Sequence, residues 1–474
     1  MEPLTWSGAL GPFLNPLMLA SIAVFFLGFL ANFGFTLAGV GPGQVEINAD
    51  HTLTVQKTPF DYAQSAMRYA VLLFVMCCVI YIIGGIALPT IEAKGIIGAM
   101  AARFLPVWSV LVLVFILSIQ FKRRLGLYGK LFDSPIGMIG FGIVMFWSFT
   151  AIFAGWIVTH GPLDVISQLR NDLPGTPLPT PEDGQYAYYL LGGDNLGRDV
   201  FSRMVMGARE VLKIAPAATL FAFMVGVTLG LPAGYFGGRL DTLLTFVSNL
   251  VLAFPVILLF YLLVTPEIVA AGIPTYMAAV LFLFPIIFFV VLWNSRYHTQ
   301  APRRNIYVAI TLVIGFWLYS GLAFNADPLG VISMPGNILI VFVSVVFVNS
   351  PTVFRIVRGI VLDIKTRDYV SAAQTRGEGP WYIMLWEILP NARGPLIVDF
   401  CLRIGYTTIL LGTLGFFGLG VSPESPDWGS TINEGRRLLT IYPHPALPPA
   451  LSLMSMVLGL NLLADGLREE SLKD

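Results

Sequence analysis

The polar residues of this chain gather in two runs, and neither has the make-up of a catalytic centre. One is Asp368-Tyr-Val-Ser371-Ala372-Ala373-Gln-Thr-Arg376-Gly377, which continues to Glu387-Ile-Leu389-Pro390. The other is Gly193-Asp194-Asn-Leu-Gly197-Arg198-Asp199-Val-Phe-Ser202-Arg203, with Gly207 and Arg209 beyond it. Carboxylates and hydroxyls occur in both runs, but nothing in the chain reads as a Ser/His/Asp set, an HExxH helix or a zinc spacing. No Gly-x-x-x-x-Gly-Lys-Ser/Thr appears, so no loop is built to cradle nucleotide phosphates. His51, His160, His298 and His444 are isolated and read as loop or interface residues. Cys77, Cys78 and Cys401 lie in apolar runs without the paired spacing of a metal site or disulfide frame. No catalytic residue, cofactor or metal is therefore expected. The chemistry open to these runs is mechanical: docking, and transmission of a conformational change.

The elements that carry the first run can be read locally. Residues 366–376 read as one short helix, because Ala372, Ala373 and Gln374 are good helix formers and no breaker interrupts them. Gly377 and Gly379-Pro380 stop that helix and turn the chain. Residues 381–389 then read as a second, apolar-faced helix ended by Pro390. Strongly apolar segments flank the pair. A helix–turn–helix projecting from a membrane bundle is a surface on which a soluble motor can push.

Composition supports the membrane setting independently. The chain is 56% hydrophobic and 12% charged, against roughly 25% charged in a soluble domain. Lipid can solvate that much apolar surface and water cannot. A net charge of +0 gives no reason to expect nucleic acid. Windows long enough to cross a bilayer occur near 16–40, 67–88, 104–120, 135–158, 213–236, 243–264, 276–293, 306–323, 337–354, 395–420 and 446–465. The first lacks the basic start and cleavage site of a signal peptide. Basic residues mark one face of the membrane in three places: Lys122 to Lys130, Arg296 to Arg304, and Arg355 to Arg393. The crossings between successive clusters are even in number, so all three are expected in the cytoplasm. The N-terminus and the loop 159–212 are then external. That loop reads as a solvated connection, with Asp194 as a helix cap.

With those residues in view, Ser371-Ala372-Ala373, Gly377 and Leu389-Pro390 resemble the cytoplasmic loop of ABC importer permeases. That loop is patterned Glu-Ala-Ala, a Gly four residues after the second Ala, then Ile-x-Leu-Pro. Two positions depart from it: Ser371 stands where Glu is usual, and Glu387 where an apolar residue is usual. The run from Gly193 to Arg203 resembles the segment before the second core helix in the branch serving dipeptide, oligopeptide and nickel importers. Three later stretches are similar to the same branch: Ala233 to Gly238 with Asp241; Phe417 to Val421 with Pro426 to Gly429; and Asn461 to Arg468. Leu411 stands where relatives often carry a Glu in the fifth core helix.

The resemblance implies an all-α polytopic membrane protein, with a six-helix permease core and about five extra membrane helices. Its core would comprise 131–264, with the external loop 159–212, and 337–474, with a coupling loop at 362–392. Residues 1–130 would be added membrane segments, and 265–336 an inserted helical hairpin. The implied coupling residues are Asp368, Ser371, Ala372, Ala373, Gly377, Glu387, Leu389 and Pro390. The external motif comprises Gly193, Asp194, Gly197, Arg198, Asp199, Ser202 and Arg203. Also implied are a bacterial inner-membrane location, a second, non-identical permease, two ATPase subunits that hydrolyse ATP, and a periplasmic or tethered solute-binding protein. The expected function is half of the translocation pathway for short peptides, with nickel or another small solute as the alternative. An ion-coupled secondary carrier would need buried acids or broken helices at midplane, and neither stands out. Two smaller expectations follow from the residues themselves. Asp399 and Arg403, four apart, should pair on one helix face, at the cytoplasmic end or as a wall of the pathway. Gly226, Gly230, Ala233 and Gly234 should allow close helix packing.

Overall fold

A computed structural model describes residues 2–43, 45–47, 53–55, 57–419 and 425–471. His51, Gly420, Val421 and Ser422 lie outside the described residues. Among the described residues the fold is all-α apart from two short antiparallel pairs, Val45–Ile47 with Leu53–Val55 and Thr176–Pro177 with Tyr188–Tyr189. The chain divides into two compact units. One holds residues 1–106 and 166–199, the other 107–165 and 200–474.

In the first unit, α1 (Gly11–Leu37) packs along α2 (Pro59–Ala87), and α3 (Ile91–Arg103) follows. The Tyr81 hydroxyl donates to Asn15 Oδ1 at 2.6 Å, beside buried Leu14 and Cys77. Outward-facing Phe26, Leu30, Leu72 and Ile83 are exposed, as lipid-facing side chains are. The loop 166–199 belongs to this unit and is tied to it. Leu4 N–H donates to Gly175 O at 2.9 Å, and the Tyr188 hydroxyl to Glu92 at 3.3 Å. Arg103 lies 5.6 Å from the Tyr186 ring centroid. Burial pushes the Tyr186 phenol up to about 12, and the neighbouring Arg103 charge only partly offsets it. The first 106 residues thus do not stand apart from the loop 166–199.

The second unit begins with α4 (Leu105–Phe121), α5 (Pro135–Ile152) and α6 (Val200–Phe236). At 37 residues α6 runs about 55 Å, well beyond an apolar thickness of about 30 Å. The loop expected over 159–212 therefore ends at Asp199, and its last residues form the first turns of α6. Next come α7 (Gly238–Leu252) and α8 (Val256–Val264), which meet at 79°. The window 243–264 is thus broken rather than straight, because Pro255 lacks an N–H and disfavours helix at Phe254. Then follow α9 (Ile273–Leu281), α10 (Leu283–Arg296), α11 (Ala301–Phe324) and α12 (Gly336–Ile364). Among the described residues ten helices are long and apolar enough to cross a membrane, or eleven with the bent pair.

Close backbone approach organises this unit. A Cβ built on Gly226, Gly230 or Gly234 would lie 2.5–2.9 Å from Val353, Val357 or Val361, so α6 and α12 touch along a seam repeating every four residues. Gly140 brings α5 equally close to the last helix at Leu463.

Candidate functional site: the coupling element and the external motif

The run from Asp368 to Pro390 forms two helical pieces below the bundle. The first is α13 (Asp368–Thr375). Val370 and Ala373 are buried against Val361, Ile364, Ile383 and Met384. Asp368, Ser371, Ala372 and Thr375, spaced three and four apart, share the exposed face. The helix ends as its sequence dictates. Gly377 takes φ +79°, its N–H donates to Gln374 O at 2.9 Å, and Glu378 N–H donates to Ala373 O at 3.2 Å. These are the paired bonds of a left-handed glycine terminator.

The second piece, α14 (380–391), is not the plain helix ended at 389 by Pro390. An α-turn, Pro380–Tyr382, opens into a π-turn, Ile383–Ile388, and a further turn, Leu389–Asn391, carries the helix through Pro390. Proline removes only its own N–H bond, and the first turn of a helical stretch can do without that donor. Ala392 N–H closes the end on Ile388 O at 3.0 Å. Glu387, out of pattern by sequence, bridges the two pieces by accepting from Arg376 Nη2 at 2.8 Å. This pair is largely exposed and is worth no more than about 1 kcal/mol. Leu389 is half-buried and Pro390 exposed.

Two other sequence stretches converge here. Tyr235, at the end of α6, accepts from Gln374 Nε2 at 3.3 Å, and Lys365 Nζ donates to Gly234 O at 2.9 Å. Asp241 in α7 takes a bidentate contact from Arg358, with Nη2 at 2.6 Å from Oδ2 and Nε closing the second bond. The stretch Ala233 to Gly238 with Asp241 therefore packs at the foot of the 368–391 pair. Arg296, at the tip between α10 and α11, stands 3.4 Å from the Tyr382 hydroxyl, so two of the three basic clusters share one end.

The run Gly193 to Arg203 is largely buried, not solvated. Asp194, Arg198, Asp199, Ser202 and Arg203 are each 0–3% exposed. Asp194 does not cap α6. Its Oδ1 accepts from the N–H groups of Leu196 and Arg198 at 2.9 Å, and its Oδ2 from Arg198 Nε at 2.7 Å. Gly193 and Gly197 are required for space, since a Cβ would fall 1.9 Å from Leu169 O or 2.2 Å from Ile166 O.

In the second unit, Ser202 Oγ accepts from Thr159 and His160 N–H at 3.1 Å. Arg203 Nη2 reaches Glu434 at 3.0 Å and Thr431 at 3.2 Å, both in α16 (Trp428–Arg436). Trp428 Nε1 donates to Met204 O at 2.8 Å, and its ring lies against Gly207. The end of the first match, at Ser202 and Arg203, and the match at 426–429 therefore meet at one junction. Burial pushes the Asp427 carboxyl upward, against Ser430 hydrogen bonds that pull it down. His160 and His444 lie outside the helices and are buried.

The core closes with α15 (Arg393–Phe416) and α17 (Leu447–Ser471). Within α15, Arg403 Nε donates to Asp399 Oδ2 at 2.7 Å, the expected pair. Sequence reading missed a polar junction midway along three helices. Thr219 and Thr407 hydroxyls lie 3.2 Å apart, and Asn349 Nδ2 donates to Thr407 at 3.3 Å, all buried. Asn349, an amide in mid-span of an apolar helix, was the available signal. No group of three or more potential metal ligands occurs among the described residues.

The family model for binding-protein-dependent transport system inner membrane components matches residues 226–469. The chain is 31% identical over 287 residues to the glutathione transport system permease protein GsiD of Pectobacterium atrosepticum, covering 60% of this chain and 73% of that one. It is 28% identical to the dipeptide transport system permease protein DppC of Alkalihalophilus pseudofirmus, over 72% of this chain and 87% of that protein. The di/tripeptide transport system permease protein DppC of Pseudomonas aeruginosa is 29% identical, over 68% and 82%. A family match across half of the chain, on a multi-pass helical fold, shows a transport permease family: this chain belongs to the binding-protein-dependent transport system inner membrane components.

Proposed function

We propose that the chain is one permease subunit of an ATP-driven importer and forms half of the pathway for short peptides or peptide-like solutes such as glutathione. The observation that carries this reading is α13, whose buried face is anchored to the bundle while Asp368, Ser371, Ala372 and Thr375 are presented outward. Such an element suits a soluble ATPase, and the chain itself has no phosphate-binding loop. ATP hydrolysis then belongs to two partner subunits. A second, non-identical permease completes the pathway, and a solute-binding protein delivers cargo outside.

In this reading 131–264 and 337–474 carry the permease core, with 265–336 inserted and 1–130 added. The external motif serves as scaffold, because Asp194, Arg198 and Arg203 are buried and bonded within the protein. The buried junction of Thr219, Asn349 and Thr407, midway along three helices, is uncharged, which disfavours a proton-coupled carrier. The substrates for which the relatives are named favour glutathione and di- or tripeptides over nickel.

Uptake of labelled glutathione, dipeptides, tripeptides and nickel by a strain lacking this chain tests the cargo. Loss of peptide uptake with nickel uptake intact is expected. Loss of nickel uptake alone would overturn the peptide assignment.

A further inference from the structure

The tip between α10 and α11 touches the coupling element through four independent contacts. Trp386 Nε1 donates to buried Ser295 Oγ at 3.2 Å. The Arg296 guanidinium lies 4.6 Å from the Trp386 ring centroid, and its Nη1 lies 3.4 Å from the Tyr382 hydroxyl. His298 meets the Tyr382 ring edge-on at 6.4 Å. Behind the tip, Phe288, Val291 and Leu292 pack on the same cluster as Ile383, Met384 and Ile388. Trp386 lies within the π-turn Ile383–Ile388. Such turns are wider than the α-helix and mark sites where a helix holds a non-standard geometry.

We propose that Ser295 and Arg296 are positioning residues that brace the second coupling helix through Trp386 and Tyr382, setting how tightly ATP hydrolysis follows transport. The inference rests on the reading of 368–391 as the coupling element. The hairpin runs from the bundle to this tip, so a tilt of α10 must move α14, and a tilt of α14 must strain the Arg296–Trp386 stack. Nothing in this arrangement requires solute. The brace acts on hydrolysis even when no cargo is bound.

The test uses the full chain purified with its permease and ATPase partners in nanodiscs, without added solute. Arg296 is exposed, so Arg296→Ala leaves the buried packing untouched. Removing the cation–π contact with Trp386 together with the bond to Tyr382 should raise solute-free ATP hydrolysis roughly 2- to 10-fold, while the amount of co-purified ATPase stays within about 2-fold. Arg296→Lys, which keeps the cation over the ring, should restore most of the control. Trp386→Phe, which keeps a ring but cannot donate to Ser295, should fall between. Arg296→Ala combined with Trp386→Ala should fall short of the sum of the two single effects, because Arg296 keeps only its Tyr382 contact once Trp386 is gone. Unchanged hydrolysis in Arg296→Ala, or full additivity in the double variant, would overturn the brace. Gly377→Val separates the two ideas: if it too leaves ATPase binding and hydrolysis untouched, the coupling reading itself has failed. If it disrupts them while Arg296→Ala is silent, only the brace falls.

Discussion

Gly377 offers a test in which conformation and space can be told apart. Its φ of +79° lies in the left-handed region, and a Cβ built there would meet nothing within 4 Å. Any substitution is therefore penalised by backbone strain alone. For an L-residue that strain is about 1–2 kcal/mol, more for a β-branched side chain and less for asparagine. Two terminator bonds, at 2.9 and 3.2 Å, hold the turn and would lengthen or break as the strain is relieved. At about 1.4 kcal/mol per factor of ten, Gly377→Ala should reduce the population of the correctly turned element about 5- to 30-fold relative to its alternatives.

Productive docking should fall in the order Gly, Asn, Ala, Val. The assay is solute uptake per ATP hydrolysed in proteoliposomes, with the amount of bound ATPase measured alongside. An asparagine variant as damaged as the valine variant would mean that space rather than φ decides. A valine variant with unaltered uptake and hydrolysis would refute the role of the turn altogether.

Three further perturbations follow from the same geometry. Gly230→Leu forces a side chain into Val357, where even a Cβ would lie 2.9 Å away, and should cost about 1–3 kcal/mol, read as a lowered melting temperature and poor membrane yield. Glu434→Ala removes the carboxylate 3.0 Å from the fully buried Arg203, which keeps Thr431, and should destabilise by about 1–3 kcal/mol, with Glu434→Gln milder because it still offers an acceptor. Asp327 accepts from the N–H groups of Leu329, Val331 and Ile332, and chiefly the Ile332 bond holds its carboxyl down to about 2. Its folded value is depressed, so its contribution is complete above the unfolded value near 3.8 and is lost as pH falls through about 2; proteolysis of 325–335 should be unchanged from pH 7 to 5 but faster at pH 7 in Asp327→Asn.

The parts legible in sequence were those set by local chemistry. Gly377 announces a left-handed terminator, Ala372-Ala373 a helix, and Asp399 with Arg403 a pair four residues apart, because each depends only on neighbours in the chain. The π-turn at Ile383–Ile388 was not legible, since Ile-Met-Leu-Trp-Glu-Ile suits an ordinary helix equally well. What distinguishes it is Trp386, which reaches Ser295 in a helix far away in sequence. Burial of Arg203 was hidden for the same reason: a polar run reads as solvated until Glu434 and Thr431 are brought to it. Pro255 did signal the break between α7 and α8, but the apolar run across it was long enough to read as one span.

The exposed face of α13 can be interrogated by cross-linking. In a variant whose Cys77, Cys78 and Cys401 are replaced, a single cysteine at exposed Ser371 would be compared with one at exposed Glu182, in the loop expected outside. With the ATPase partners bound, a short thiol cross-linker should join Ser371→Cys to an ATPase subunit and leave Glu182→Cys unlinked. Cross-linking to the ATPase from Glu182→Cys, or none from Ser371→Cys while the ATPase remains bound, would contradict the assignment of 368–391 as the coupling element.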